Sequence, residues 1–276
     1  MQEVYLCALF ENNSIPELKS FFIHFKRANP RVKKVYFRIT LTDMVLYCKE
    51  SISSCYYINN NQVIEELKLG NQQCNNKYII VQFQDFDTVV GAVNKIASNP
   101  KDVRIYLEQI EEQIYLTWNI TQQDDTSIIK QTYIEFIEEL EIVQLELQPM
   151  IIMPTYLLNQ MATIAKNYDA PLRLNFYKQQ GLYSVEIIVQ LENDVPSFST
   201  LFLASQHQAE NLKQIDSFFQ ISKNYTQQFI DITSIEENIV ITLDQSPTSP
   251  LVLNYLSGRA VEMGIVKQFI IQRMYS

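Results

Sequence analysis

The histidines and cysteines of this sequence are the side chains that could hold a metal ion or act as a nucleophile or general base. His24 falls on the polar side of a predicted helix and His207 in a polar loop, and neither has a second histidine or a cysteine at metal-ligand spacing. Both are therefore predicted to be solvated surface residues. The cysteines form no CxxC pair, which favours buried free thiols over disulfides or a metal site. They are Cys7, Cys48, Cys55 and Cys74, all in the first third of the chain.

Paired carboxylates could act as an acid and a base, but each pair here consists of adjacent residues at a loop or an element end. Neighbouring residues on a strand point to opposite faces, so these pairs are predicted to be solvated charges. The glycine-rich phosphate-binding signatures and the GxSxG nucleophile elbow are absent from the sequence. We therefore expect no catalytic residue, no metal and no cofactor, although an unrecognised hydrolase stays open as an alternative. The pairs are Glu65-Glu66, Glu111-Glu112, Asp124-Asp125 and Glu236-Glu237.

The composition of the chain is that of a globular protein with an acidic surface. Its hydrophobic fraction of 47% supplies the core of one large domain or two ordinary ones. The net charge of -9 argues against a uniformly positive coat for nucleic acid, yet it allows a local basic surface. No segment reaches the roughly 18 consecutive apolar residues that a membrane span needs, and no signal peptide is recognisable. We expect an intracellular protein with no membrane association.

Helical periodicity recurs along the chain at an interval of about 70 residues, which indicates a repeated structural unit. The predicted helices span residues 15–28, 85–98, 154–167 and 225–237. Pro154 is expected at the first helical position, where a missing N–H does not matter. The apolar stripes are Ile15, Leu18, Phe22 and Phe25 in the first helix; Val89, Val93 and Ile96 in the second; Leu157, Met161 and Ile164 in the third; and Phe229, Ile230 and Thr233 in the fourth.

Each predicted helix follows one strand and precedes three more, so the repeated unit is β-α-β-β-β. The strands before the helices span 3–10, 78–84, 146–153 and 216–223. Those after the helices span 34–40, 44–49 and 55–58; 102–107, 113–119 and 128–137; 172–177, 183–190 and 200–204; and 238–243, 251–256 and 266–272. Short connections favour antiparallel meanders. The sequence therefore predicts an α+β protein of two similar domains, residues 1–137 and 149–276, each made of two such units and joined by a connector at 138–148.

Two motifs resemble sequences of the PCNA-type sliding DNA clamps. The segments 249–255 (SPLVLNY) and 262–270 (EMGIVKQFI) are similar to the closing strands of those clamps, and 151–158 (IIMPTYLL) resembles their strand-to-third-helix junction. The order and spacing of the four units agree as well, so the resemblance covers essentially the whole chain. It implies the DNA clamp fold, with the helices on the inner face and antiparallel sheets outside.

Within that family the chain is most similar to the Hus-type subunit of the heterotrimeric DNA-damage checkpoint clamp. The similarity rests on residues 63–120 and on 181–187 (GLYSVEI), whereas the Rad-type partner subunit fits residues 1–60 about equally well. The resemblance implies a non-catalytic protein of the nucleus that forms a ring with two other clamp subunits. An ATP-dependent clamp loader would open the ring, and peptide motifs of repair or replication proteins would bind to it.

The resemblance also implies that the helices meet double-stranded DNA through sequence-independent phosphate contacts, made by basic side chains opposite the apolar stripes. The candidates are Lys19, Lys26, Arg27, Arg31, Lys95 and Lys166. The fourth predicted helix offers the acidic residues Asp231, Glu236 and Glu237 instead, with Lys223 only at its entrance. This uneven charge favours a member of a mixed ring over one of three identical subunits.

A hydrophobic groove under the connector receives the partner peptides in the clamps that this chain resembles. By position it would involve Met44, Leu46, Leu140, Ile142, Pro250 and Leu251. Core packing explains these apolar residues equally well, because buried strands have the same composition.

Two other functions are compatible with the same resemblance. One is a homotrimeric replication processivity factor of the PCNA type, which would form a trimer from this chain alone. The other is a clamp-fold scaffold that holds a protein complex together without binding DNA, for which the weakly basic fourth helix is the motivation.

Overall fold

The computed structural model describes residues 3–49, 52–60, 63–69, 78–97, 99–137, 151–179, 182–191, 198–203, 217–223, 226, 230, 238–243, 251–256 and 266–271. The chain divides into two compact units. Unit 1 is Met1–Cys48, Cys55–Ile142 and Met263–Ile265, and unit 2 is Lys49–Ser54, Val143–Glu262 and Val266–Ser276. The predicted connector lies outside the described residues, so the domain bounds given above stay a prediction.

The described part of unit 1 contains two α-helices and a series of antiparallel strands, one of which begins in the segment Lys49–Ser54 of unit 2. Their order along the chain is β1 (Glu3–Phe10), α1 (Ile15–Ala28), β2 (Val35–Thr40), β3 (Asp43–Cys48), β4 (Ile52–Asn59), β5 (Ile64–Leu69), β6 (Tyr78–Phe83), α2 (Phe86–Asn94), β7 (Asp102–Ile110), β8 (Gln113–Thr121) and β9 (Ser127–Phe136). In the sheet the strands lie in the order β4-β3-β2-β6-β9-β8-β7-β1-β5. Strand β5 is an addition to the three strands predicted after the first helix.

The core of unit 1 forms between the helices and one face of this sheet. Pro16 stands in the first turn of α1, and the predicted stripe Ile15, Leu18, Phe22 and Phe25 is buried. The Phe22 ring lies 5.5 Å from Trp118 on β8 and 5.8 Å from Phe37 on β2. Burying each such ring contributes about 1.5–3 kcal/mol, so this aromatic cluster fixes α1 against the sheet.

Unit 2 repeats the pattern with antiparallel strands and one fully described helix. Its elements are β10 (Ile151–Pro154), α3 (Thr155–Asn167), β11 (Leu172–Gln179), β12 (Leu182–Val189), β13 (Phe198–Leu203), β14 (Ser217–Ile221), β15 (Asn238–Leu243), β16 (Leu251–Leu256) and β17 (Val266–Ile271). The strands lie in the orders β13-β12-β11-β14 and β10-β15-β16-β17. Of the fourth predicted helix, only Thr226 and Ile230 belong to the described residues.

Helix α3 differs from its prediction in two respects. Pro154 is the N-cap, with an extended backbone (φ -60, ψ 131), and the helix begins one residue later. Its buried face comprises Thr155, Leu158, Met161, Ala162 and Ala165, whereas Leu157 and Ile164 are only half-buried. The buried face of α3 is therefore rotated relative to the predicted stripe. Small alanine side chains let the helix lie close to the sheet, whereas the prediction rests on large apolar residues alone.

Helix α2 is shorter than predicted, since it ends at Asn94 and has Lys95 as its C-cap. Its predicted stripe Val89, Val93 and Ile96 is nevertheless buried. Within the described part of the chain, no helix is long and apolar enough to cross a membrane.

Candidate nucleic-acid interface

A basic segment without acidic residues runs from Leu18 on α1 to Thr42, just before β3. Such a segment in a chain of net charge -9 is the strongest local concentration of positive charge in the sequence. It contains four of the six predicted DNA-contacting residues. Its basic members are Lys19, Lys26, Arg27, Arg31, Lys33, Lys34 and Arg38.

Two of the residues predicted to contact DNA bind to protein groups in α2 or just beyond its end. Lys19 Nζ donates a hydrogen bond of 2.8 Å to the carbonyl oxygen of Ile96, just beyond the end of α2. Lys26 Nζ lies 2.7 Å from Asp87 Oδ1 in the first turn of α2. Both lysines are half-buried. They link α1 to α2, so their charge is already partly used within the protein.

The other predicted contacts of unit 1 are exposed. Arg27 lies in the last turn of α1, Arg31 follows that helix, and Lys95 caps α2. Cations at helix C-termini are favoured by the helix dipole, typically by about 0.3–1 kcal/mol, so their positions are locally stable without a protein partner. The neighbouring Lys33 and Lys34 are exposed too and extend the same basic region.

Unit 2 offers a smaller basic surface among its described residues. Lys166 is exposed in the last turn of α3, as its predicted role requires. Lys223 Nζ, at the predicted entrance of the fourth helix, lies 2.5 Å from Asp169 Oδ2 and so ties the end of β14 to the end of α3. The acidic residues predicted for the fourth helix lie outside the described residues.

The predicted peptide groove is placed wrongly at two positions of β3. Leu46 pairs with Phe37 and Met44 with Ile39, and these side chains face the helices in the core with 0% exposure for both β3 residues. Because side chains alternate along a strand, Val45 and Tyr47 occupy the opposite face. They form a buried cluster there with Cys55.

The remaining groove candidates give no further support. Leu251 is fully buried in unit 2, while Leu140, Ile142 and Pro250 lie outside the described residues. Whether the chain has a peptide groove therefore stays a prediction.

The residues considered for catalysis and metal binding are held in structural roles. His24 Nδ1 lies 2.8 Å from Ser20 Oγ one turn earlier on α1, and the ring is half-buried rather than fully solvated. Cys7 is half-buried and Cys48 and Cys55 are fully buried, and these three cysteines form no disulfide. Burial raises the pKa of Cys55 to about 12, so this thiol stays neutral and is a poor nucleophile.

The described residues include no group of three side chains that could hold a metal ion. His207 and Cys74 lie outside the described residues.

Comparison with known proteins identifies the fold. No protein-family model matches the chain, and no curated protein matches it. Among solved structures, the chain is similar to the crystal structure of proliferating cellular nuclear antigen (PCNA) from Entamoeba histolytica, with a TM-score of 0.67 and 11% sequence identity. The match covers 99% of this chain and 100% of that one. The chain therefore has the PCNA-like DNA clamp fold, and the predicted α+β class with antiparallel sheets is confirmed.

Proposed function

We propose that this chain is a subunit of a ring-shaped sliding clamp that encircles double-stranded DNA and has no catalytic activity of its own. The observation that carries the proposal is a PCNA-like fold over 99% of the chain that presents exposed cations on its helices and directly after them. These are Arg27, Arg31, Lys95 and Lys166. In a chain of net charge -9, they would attract the phosphate backbone locally while the acidic remainder repels it.

Contacts of this kind suit a protein that moves along DNA. Phosphate groups repeat identically along the duplex, so basic side chains bind them without reading the base sequence. Long flexible lysine and arginine side chains can exchange one phosphate for the next, because each contact is individually weak and screened by salt.

Ring closure would use strand edges of the two units. Residues 127–133 of β9 pair with β8 on one side and have no partner strand on the other among the described residues. Strand β13 likewise pairs only with β12 in the described part of unit 2. Exposed apolar side chains accompany both edges: Tyr133 on β9, and Leu201 and Leu203 on β13. We propose that β13 of one subunit pairs with β9 of the next, which would cover edges that otherwise promote aggregation.

The most specific form of the proposal is a Hus-type subunit of a heterotrimeric checkpoint clamp in the nucleus. Its support is the sequence resemblance of residues 63–120 together with the uneven distribution of basic residues among the four predicted helices. In this proposal two different clamp subunits complete the ring and an ATP-dependent loader opens it. Peptide motifs of repair or replication proteins then bind its surface.

The mass of the native assembly tests the ring. The purified chain is mixed with candidate partner subunits and analysed by native mass spectrometry. A complex of three different chains is expected, whereas a trimer of this chain alone would indicate the homotrimeric replication clamp. Failure to form any ring of three subunits overturns the proposal.

A matched pair of leucines tests the proposed edges. Leu201 on β13 and Leu41 in the β2–β3 turn have the same exposure, 55% and 56%. Leu201→Glu should abolish assembly because it places a charge in the subunit contact, and Leu41→Glu should leave it intact. Equal effects of the two substitutions would contradict the use of β13.

A scaffold without DNA binding is the second candidate function. The observation in its favour is that Lys19, Lys26 and Lys223 are engaged by other protein groups. Retention of the assembled ring on nicked circular DNA, compared with the same DNA after linearisation, separates the two functions. A clamp with Arg27, Arg31, Lys95 and Lys166 all changed to Glu should lose retention on the circle. Unchanged retention would favour the scaffold.

A further inference from the structure

A pocket of about 340 Å³ opens on the face of the unit 1 sheet that points away from the helices. Trp118 on β8 faces α1, so its neighbours Thr117 and Asn119 point to the other side and line the pocket. A register shift in β1 sets Val4 opposite Glu108 of β7 and forms one wall. This size falls at the lower end of ligand-binding pockets in proteins.

The floor of the pocket is a chain of hydrogen bonds across three strands. Gln131 Nε2 on β9 donates to Thr117 Oγ1 over 3.4 Å, and Thr117 Oγ1 donates to Glu108 Oε1 over 2.5 Å. Glu108 and Thr117 are each only 5% exposed. The carboxylate is thus held in a fixed orientation at the bottom of an open pocket.

The pocket also contains an acceptor that lacks a donor. Asn119 Oδ1 is buried and has no hydrogen-bond partner among the described residues. The nearby cation Arg104 is committed to Asp102, with its Nε and Nη2 both 2.9 Å from Asp102 Oδ2. An unpaired buried acceptor costs about 1–3 kcal/mol, so a donor supplied from outside would bind here favourably.

These acceptors and their surroundings fit one kind of side chain. A guanidinium presents several N–H donors in a planar fork, so it can donate both to the Glu108 carboxylate and to the Asn119 amide oxygen, which line the pocket on either side of Thr117. The apolar rim, with Val4 43% and Ile129 60% exposed, can cover its alkyl stem and a neighbouring apolar residue. We infer that this pocket binds an arginine side chain of a partner protein, presented next to an apolar residue.

The inferred site goes beyond the proposed clamp function and does not depend on it. Side chains stand perpendicular to a sheet, whereas strands pair in its plane. Pairing along the β9 edge would therefore leave the pocket open in an assembled ring.

Methyl and amide NMR of the labelled full-length chain tests the inference with three matched peptides. The probes are acetyl-Leu-Arg-Leu-amide, the same peptide with lysine, and the same peptide with the neutral arginine analogue citrulline. The arginine peptide should cause saturable shifts at Val4, Thr117 and Ile129. It should bind at least 10-fold more tightly than the citrulline peptide and more tightly than the lysine peptide. No saturable shift, or equal binding of any two peptides in these comparisons, overturns the assignment.

Three variants show whether the pocket is the binding site. Glu108→Gln should weaken the arginine peptide at least 10-fold, and Asn119→Leu should remove its preference over lysine. The leucine of Asn119→Leu replaces an unpaired acceptor, so this variant should stay folded. It therefore tests the pocket even if the Glu108→Gln variant unfolds. Glu135→Gln is the control, since it removes an equal charge from an exposed position of β9 on the same sheet face. Binding that Glu135→Gln weakens as much as Glu108→Gln would reflect general charge attraction and overturn the inference.

Discussion

The helices of the two units use their basic residues differently. In unit 1, Lys19 of α1 binds to a carbonyl group just beyond α2 and Lys26 to a carboxylate of α2, while Arg27 and Lys95 remain exposed. In unit 2, the described helix α3 presents Lys166 alone and is fixed to the sheet by a face rich in alanine. The basic residues of the unit 1 helices therefore both link elements of the fold and create positive surface potential, whereas Lys166 of α3 contributes to the surface potential alone.

This difference shows that a basic residue at a suitable helical position need not be a DNA contact. Lys19 and Lys26 stand at the margins of the apolar stripe, where a long side chain can reach a neighbouring helix. For Arg27 and Arg31, no hydrogen bond or ion pair with a neighbouring helix is described. Substitutions should distinguish the two lysines that bind other protein groups from the two exposed arginines.

The largest effect is expected from the aromatic core of unit 1. Phe22→Ala should lower the free energy of unfolding by about 3–5 kcal/mol, because a buried ring is replaced by a cavity. Denaturation followed by the fluorescence of Trp118, the only tryptophan of the chain, reports this loss in unit 1 directly. Phe198→Ala in unit 2, where the ring is 37% exposed, is the control and should leave that transition unchanged. Equal shifts would mean that the units do not unfold separately.

The exposed cations should dominate DNA affinity. Replacing Arg27, Arg31 and Lys95 by Glu together should weaken binding of duplex DNA roughly 100-fold near 0.1 M salt, and Lys166→Glu should weaken it by less than about 10-fold. Titration of the assembled protein at several salt concentrations measures both effects. The slope of log K against log salt should fall by about 0.9 for each phosphate contact removed. An unchanged slope in the triple variant would contradict the assignment.

The linking lysines should affect stability more than DNA binding. Lys19→Met should cost about 1 kcal/mol, since a charged donor to a carbonyl group is lost. Lys26→Met should cost less, between 0 and about 1 kcal/mol, because Asp87 is 72% exposed and solvent screens the pair. Either variant should change DNA affinity less than Arg27→Glu does. The opposite order of effects would show that these lysines contact DNA after all.

An effect on stability as small as that of Lys19→Met is expected at the N-terminus of α2, with the N-terminus of α3 as the comparison. Asp85 caps α2: its carboxylate accepts from the Thr88 hydroxyl at 2.6 Å and from the Thr88 N–H at 3.2 Å. The hydroxyl bond chiefly holds the pKa of Asp85 below its usual value. Asp85→Ala should cost about 1 kcal/mol at neutral pH.

The contribution of the Asp85 carboxylate to the free energy of unfolding should decrease as the pH falls. Because the pKa of Asp85 is lower in the folded protein, the carboxylate stabilises the fold above the unfolded value, near about pH 4, and the effect disappears as pH falls below it. The difference between wild type and Asp85→Ala should therefore shrink in acid. Pro154→Ala at the N-cap of α3, which has no side-chain cap bond, should show no such pH dependence. A constant difference at Asp85 would exclude the capping role.

The first and last residues of an element were predictable where they depend on the local sequence alone. The bounds of α1, β1, β15 and β16 agree with the sequence prediction, because their periodicity and flanking turns lie within one segment. The stripe of α3 was not predictable in the same way. Which residues of α3 are buried depends on how closely Ala162 and Ala165 allow the helix to approach strands that lie elsewhere in the chain.

The candidate interface was only partly predictable. Its segment, 18–42, is visible in the sequence as a run of basic residues without acidic ones. The engagement of Lys26 by Asp87 has no local signal, because the two residues are distant in the sequence and meet only when α1 packs on α2. The same holds for the pocket around Glu108, which needs four neighbouring strands in register.

The sequence by itself determined the α+β class, the β-α-β-β-β order of the second and third predicted units and the basic character of α1, since each depends on residues close together along the chain. Tertiary structure decided which lysines remain exposed. It also decided that Met44 and Leu46 face the core while Val45 and Tyr47 face the other side of the sheet. The physical reason is that burial and strand pairing arise between segments that folding brings together. A shift of one residue in the pairing of a strand moves each of its side chains to the other face of the sheet.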